Sequence, residues 1–189
     1  MLKKKWIHSL SSSAKALVLF IKKLNENLYL CMNYHDLNKI TVKNNYSLSL
    51  LSEMLNCFAH ARHFIKINIY NIYYCIQIRK NDEWKTTFCT HYDQFEYQMM
   101  LFKLTNASSI FQFYVNHAFK LFLNICYMIY LNDVLIYSEI KEQHWEHMHK
   151  ILRALLKYQL YIKLSKYAFN HSEVIFLNFV IKWKSIQMK

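Results

Sequence analysis

No glycine and no proline occurs anywhere in the chain, although average usage predicts about 13 and about 9 of them in 189 residues. Every turn and helix end must therefore close without the residue that takes positive φ at no steric cost. It must also close without the one that presets φ near the turn value. Left-handed positions fall on ordinary L-residues, each at a cost on the order of 1 kcal/mol or more. Glycine and proline have GC-rich codons only, whereas the abundant Asn, Lys, Ile, Tyr and Phe have AT-rich ones. The gap is thus also what directional mutation of the gene would leave.

Hydrophobic residues make up 54% of the chain and aromatics 17%, enough to bury the core of one domain and too many for a disordered tail. The 24 Lys+Arg against 12 Asp+Glu leave a formal charge of +12, which calls for a polyanionic partner. Charge alone does not separate nucleic acid from a membrane surface, but no basic amphipathic helix of the interfacial kind stands out, which favours nucleic acid. Cys31, Cys57, Cys75, Cys89 and Cys126 are scattered without a CxxC pair, as in reduced intracellular thiols rather than a disulfide framework or zinc site. The basic N-terminus has too short an apolar run for a signal peptide. The apolar tract from Phe119 to Tyr137 carries Lys120, Asn124, Asn132 and Asp133, too polar for a membrane span. These features place the product inside the cell, in nucleus or cytoplasm.

Hydrophobic periodicity predicts a strand pair at 17–23 and 28–34 around Leu24–Asn27, then a helix at 47–60 with Ser47 as N-cap. A strand at 64–69 follows, then a tyrosine-rich turn and a short strand CIQIR. KTTFCT and FEYQMM make a hairpin across HYDQ. The clearest helix spans 106–123, capped by Asn106, with Ile110, Phe111, Tyr114, Val115, Ala118, Phe119 and Phe122 at helical spacing. A hairpin with Leu131 and Asn132 at its tip, a helix over 141–158 and a strand pair near 161–163 and 174–181 complete the chain. This order predicts an α+β fold, an antiparallel sheet backed by helices.

Three segments together, KINIYNIYYCIQI, FEYQMMLFKLTNASSIFQ and YLNDVLIYS, resemble the palm of reverse transcriptases of gypsy-type long-terminal-repeat retrotransposons. The family patterns run roughly (K/L)xDLxxxYxxI, FEYxVMPFGLTNAPxxFQ and YLDDxLIYS. NYHDLNKITVKNNYSLSLL upstream is similar to the family's finger segment VDYRxLNKxTVKNxYPLPLI. The stretch from HWEH to the C-terminus is similar to HxxHVxxVLxxLxxxxLYxKxSKCxFxxxxVxFLGxVI. The resemblance runs from about Ile7 to the end. It implies one domain over 1–189, the fingers and palm of a reverse transcriptase, with 1–6 a disordered tail and truncation before thumb and ribonuclease H. The implied activity is RNA-directed DNA polymerisation on an RNA or DNA template–primer, with deoxynucleotides as substrate and no membrane partner.

In that family three aspartates hold Mg²⁺. Their positions here are Asn68, Asn132 and Asp133, so two of three carboxylates are amides. Mg²⁺ requires hard, charged oxygen ligands, and an amide offers one neutral carbonyl. Weak metal binding at Asp133, or none, and loss of polymerase activity follow. Among the implied nucleotide-binding positions, His35 replaces an arginine and Lys103 a glycine, while Tyr73, Phe102 and Gln112 are retained. Tyr29 replaces a further arginine, Leu101 and Ser108 two prolines, and Asn178 a glycine. Every replacement is reachable by C→T or G→A transitions, as in a retrotransposon copy decayed by fungal repeat-induced point mutation.

Read without the resemblance, the Asn–Asp pair of YLND is an ordinary hairpin turn. His144, His147 and His149 line the exposed face of their helix rather than a metal site. Tyr70, Tyr73 and Tyr74 either stack bases or edge the core, and Lys3, Lys4 and Lys5 are a solvated tail. Besides a silent polymerase, the sequence is compatible with a non-catalytic domain that binds RNA or RNA–DNA hybrid, and with a marginally folded pseudogene product.

Overall fold

The computed structural model describes residues 6–9, 12, 14–22, 28–46, 56–58, 60–122, 125–163, 168–171, 173–183 and 185–188. The expected lysine tail, the turn at Leu24–Asn27 and most of the expected 47–60 helix, with its Ser47 cap, lie outside them. The chain divides into two compact units, one of residues 1–44 and 73–108, the other of 45–72 and 109–189.

In the first unit, β1 (Ile7–Ser9), β6 (Gln94–Tyr97) and β5 (Phe88–Cys89) form a three-stranded sheet in the order β1-β6-β5. A separate antiparallel hairpin joins β2 (Leu17–Lys22) to β3 (Leu28–Asn33), as the alternation predicts. A short α1 (His35–Ile40) follows β3, and the 3₁₀ turns Ile72–Cys75 and Glu83–Thr86 precede β5 in the chain. The expected strand CIQIR is not one: residues 75–79 supply a single isolated bridge, Gln77 to Met99. The core gathers Ile7, Met32, Tyr34, Phe88, Tyr97 and Leu101. The Tyr34 hydroxyl donates to the Thr86 carbonyl at 2.8 Å, so its burial leaves no orphan polar group. Trp6 stacks on Tyr74, ring centroids 4.4 Å apart.

The second unit is built on the antiparallel pair of β4 (His63–Tyr70) and β8 (Asp133–Ser138). β7 (Tyr127–Tyr130) flanks β8, and β9 (Tyr161–Ile162) and β10 (Ala168–His171) both pair with β4. β11 (Glu173–Phe176), β12 (Phe179–Lys182) and β13 (Ser185–Met188) make their own antiparallel sheet, so β9 pairs with β4 and not with 174–181. Side chains alternate along β4, and both faces are covered. Ile65, Ile67 and Ile69 are buried on the face that carries Val134 and Ile136 of β8. On that side lie α2 (Ala107–Ala118), whose following residue Phe119 sits 5.2 Å from the Tyr127 ring, and α3 (Lys141–Lys157). On the other face Phe64, Leu135 and Tyr137 pack with Val174, Phe176 and Ile181 of the small sheet. α2 and α3 therefore back the first face, and the β11–β13 sheet covers the second together with Phe58. In α3 the buried positions His144, Met148, Ile151 and Leu155 recur every three or four residues, as an amphipathic helix requires. His144 thus belongs to the buried stripe, contrary to the exposed position expected for it.

The missing glycines are visible as strain. Asn71, Asn81, Leu131, Gln159, Leu177 and Asn178 all have φ between 51° and 72°. Leu177 and Asn178 are the two residues of the β11–β12 turn, the hairpin position that prefers Asn-Gly. Asn178 stands where the family pattern has glycine. After α3 the Gln159 N–H donates to the Leu156 carbonyl at 3.1 Å and the Leu160 N–H to that of Leu155 at 2.8 Å. These are the paired bonds of a Schellman cap, with Gln159 in the left-handed position usually held by glycine. Leu155 and Leu160, at the two positions that flank such a cap, are both buried. Gln159→Gly is expected to raise stability by about 0.5–1 kcal/mol, measured as a higher midpoint in urea, because it relieves that φ without removing a buried group.

Candidate nucleotidyl-transfer site

Register alone brings the expected metal positions together. Asn68 lies directly opposite Asp133 across β4 and β8, so the two side chains share a face and touch. Asn132 is the second residue of the β7–β8 turn, and its carbonyl accepts the Ile69 N–H at 2.8 Å. The Asn132 side chain is exposed. Asn68 is buried, and its Nδ2–H donates to Asp133 Oδ1 at 2.7 Å. A carboxylate can accept only, so the amide must present its donor. The second carboxylate oxygen, Oδ2, lies 3.2 Å from Lys66 Nζ. Lys66 and Asn68, two residues apart, share one face of β4, which is how the lysine reaches Asp133 on the diagonal. The family motif carried this lysine as an unremarked position, and its spacing from Asn68 was the available signal.

The donor set of this site is one carboxylate already doubly engaged, plus two amides. It does not fit Mg²⁺, which wants several anionic oxygens at close range. Among the described residues no group of three or more His, Cys, Asp and Glu side chains is arranged to hold a metal.

Gln112 is buried on α2 and is committed to the hairpin. Its Nε2 donates to the Ile129 carbonyl and to Asn116 Oδ1, each at 3.1 Å, and its Oε1 accepts the Leu131 N–H at 3.2 Å. It thus holds the turn whose Leu131 sits at φ 53°. The remaining expected nucleotide residues belong to the first unit. Tyr73 lies 3.4 Å through its hydroxyl from Ser108 Oγ, and its ring is 6.4 Å from that of Phe102, which is exposed. Lys103 Nζ is 5.8 Å from the Phe102 ring centroid, and the Lys103 carbonyl accepts Asn38 Nδ2–H at 2.8 Å. His35 opens α1, its N–H donating to Asn33 Oδ1 at 3.1 Å. The Asn106 amide, expected as a helix cap, ties down the 42–44 segment: it accepts from the Asn44 N–H and donates to the Val42 carbonyl.

A hairpin that carries its acid at the tip, paired with a central strand of an antiparallel sheet backed by helices, is a polymerase-palm architecture. The chain belongs to the reverse transcriptase (RNA-dependent DNA polymerase) family, whose model matches residues 21–181. It is 29% identical over 167 residues to the Transposon Tf2-3 polyprotein of Schizosaccharomyces pombe, covering 88% of this chain and 12% of the polyprotein. An RNA-directed DNA polymerase homolog of Oenothera berteroana is 33% identical over 125 residues, 66% of this chain and 88% of that relative. The chain therefore spans a small part of the transposon polyproteins it matches and most of the plant homolog. A foamy viral protease–reverse transcriptase solved with double-stranded DNA superposes with a TM-score of 0.90 at 19% identity, over 100% of this chain and 33% of that one. The same enzyme with an RNA/DNA hybrid gives 0.87, covering 25% of that chain. The fold is that of these enzymes, and the retrotransposon resemblance of the motifs agrees with the transposon relatives. Among the described residues no helix is long and apolar enough to cross a membrane.

A second polar cluster lies at the other end of β8, and two of its members, His144 and His147, are histidines expected on an exposed helix face. Ser138 Oγ is 2.8 Å from His147 Nδ1 and 3.0 Å from His144 Nδ1. One hydroxyl can donate to only one of the two rings, so it accepts from the other. His63 lies 5.9 Å from His144, ring to ring. Burial, with the charges of His63 and His147, pushes His144 down to about 4, and burial with Lys150 nearby lowers His147 also, against a smaller opposing effect of Glu146. The signal in the sequence was the spacing of His144 with Met148 and Ile151. Both rings are held neutral when folded and regain their ordinary basicity when unfolded, so below about 6.5 the unfolded chain binds more protons. Stability is expected to be full above pH 6.5 and to fall as pH drops from 6.5 toward 4. Melting temperatures across that range check this, and His144→Leu should flatten the slope.

Proposed function

We propose that this chain is a reverse transcriptase domain that has lost nucleotidyl transfer and keeps the capacity to bind nucleic acid. The observation that carries the first half is the Asn68 amide donating to the one remaining carboxylate, Asp133, at 2.7 Å. Where the reaction needs anionic oxygens to gather divalent ions, two positions offer amides and the third is neutralised by a lysine. No productive Mg²⁺ site remains in this reading. Tyr73, His35, Phe102 and Lys103 are the residues that would face a deoxynucleotide, with Lys103 adding a cation that cannot replace two metal ions. Gln112 serves by holding the hairpin turn. The chain is the product of a retrotransposon copy altered by directional transitions, which accounts together for the lost aspartates and the missing glycine and proline.

The charge of +12 supports the second half. So does a fold shared with enzymes solved on double-stranded DNA and on RNA/DNA hybrid. Single-nucleotide primer extension, with Mg²⁺ and then Mn²⁺, is expected to show no product from the native chain and to recover in Asn68→Asp/Asn132→Asp. Extension by the native chain overturns the loss of activity. Electrophoretic shift on a hybrid duplex is expected to weaken on the order of 10³-fold between about 50 and about 200 mM salt if about six phosphates are neutralised. A flat response overturns the binding half.

A further inference from the structure

Lys66 does more than neutralise Asp133. Its ammonium lies 3.2 Å from Asp133 Oδ2 on β8, donates to the Ile175 carbonyl on β11 at 3.1 Å, and sits 5.9 Å from the centre of the Phe176 ring. Its own backbone is in β4, so one cation touches both central strands and the first strand of the small sheet. Lys66 and Asp133 side chains are each 24% exposed, well short of a solvated surface pair. An ion pair so placed is less screened than a surface pair, while the hydrogen bond to the Ile175 carbonyl is itself exposed. The contact lies at the rim of the apolar seam formed by Phe64, Leu135, Val174 and Phe176. Beside it opens a cavity of about 520 Å³ lined by Lys66, Tyr130, Asp133, Ile175, Leu177 and Asn178.

We propose that the surviving aspartate has become a structural residue. Asp133, oriented by Asn68, fixes the Lys66 ammonium, and the ammonium clasps the β11–β13 sheet to the central sheet. The tethered cation satisfies the carboxylate that the family uses for a metal ion. Three properties follow from the geometry. The two charges act as one unit, the small sheet is the element that loosens when either is removed, and Mg²⁺ finds no free carboxylate at this site.

The clasp is read by melting and by hydrogen exchange, independently of primer extension, so it can fail while the functional proposal stands, and the reverse. The full chain is compared with Lys66→Met, Asp133→Asn and the double variant. Methionine keeps the stem against Phe176 and removes the charge. Each single variant is expected to speed amide exchange across 173–182 on the order of ten-fold, with α3 unchanged, since each strands a partly buried charged partner. The double variant, with neither charge, is expected to exchange no faster than the worse single one, and to melt cooperatively even if a single variant does not. MgCl₂ is expected to leave the melting temperature of the native chain unchanged. Additive effects in the double variant, exchange that rises equally in α3, or a rise in melting temperature with MgCl₂ each overturn the proposal.

Discussion

The antiparallel register of β4 on β8, from His63 opposite Ser138 to Asn68 opposite Asp133, decides which face of the central sheet each side chain joins. A slip of one residue would turn Ile65, Ile67 and Ile69 away from the helices and carry Asn68 away from Asp133 at the same stroke. The register is held from both sides. The isoleucine face is sealed by α2 and α3, and the Phe64–Leu135–Tyr137 face by the β11–β13 sheet. Site geometry is therefore a by-product of core packing. That explains how the β7–β8 hairpin and Asn68 keep their mutual geometry with a single carboxylate, Asp133, between them: packing and register set their position.

The same separation of shape from chemistry runs through the turns. Among the described residues six take the left-handed conformation, with no glycine in the chain to take it. Three of them are asparagine, the least costly substitute because its short polar side chain finds local partners. Leu131, Gln159 and Leu177 have no such advantage and are held by their surroundings. Gln112 grips the Leu131 N–H, the Schellman bonds fix Gln159, and the β11–β12 pairing fixes Leu177. Backbone hydrogen bonding at these points outweighs a penalty on the order of 1–2 kcal/mol per residue. Several such penalties together draw on a margin that for a domain is only about 5–15 kcal/mol. The fold closes these turns without glycine.

Periodicity was sufficient for β4, the β7–β8 hairpin, α2 and α3, because each buries a stripe or face whose spacing is explicit in the apolar residues. It failed at CIQIR, where alternation suggested a strand and the chain makes a 3₁₀ turn and one bridge. It also failed at the C-terminus, where strand-like residues 161–162 join β4 rather than 174–181. Alternation reports that a segment is fit for a sheet and says nothing about which neighbour it will meet. The histidines of α3 show a related failure. Their polarity argued for water, while their spacing with Met148 and Ile151 argued for the core, and spacing prevailed at His144 because Ser138 gave its ring a partner.

By itself the sequence determined the family and the main elements, β4, the β7–β8 hairpin, α2 and α3, since each is written in local pattern and motif. It also determined that left-handed turns would fall on ordinary residues, because no glycine was there to take them. Only the tertiary structure decided how the remaining acid is used. Lys66 and Ile175 are far apart in the chain, and their meeting at Asp133 depends on a small sheet folding back over the central one. It likewise decided that His144 and His147 would share one hydroxyl, which requires α3 to lie against β8 at one fixed rotation. Local pattern fixes what a residue can do; which partner it does it with is set by contacts between segments that no local pattern encodes.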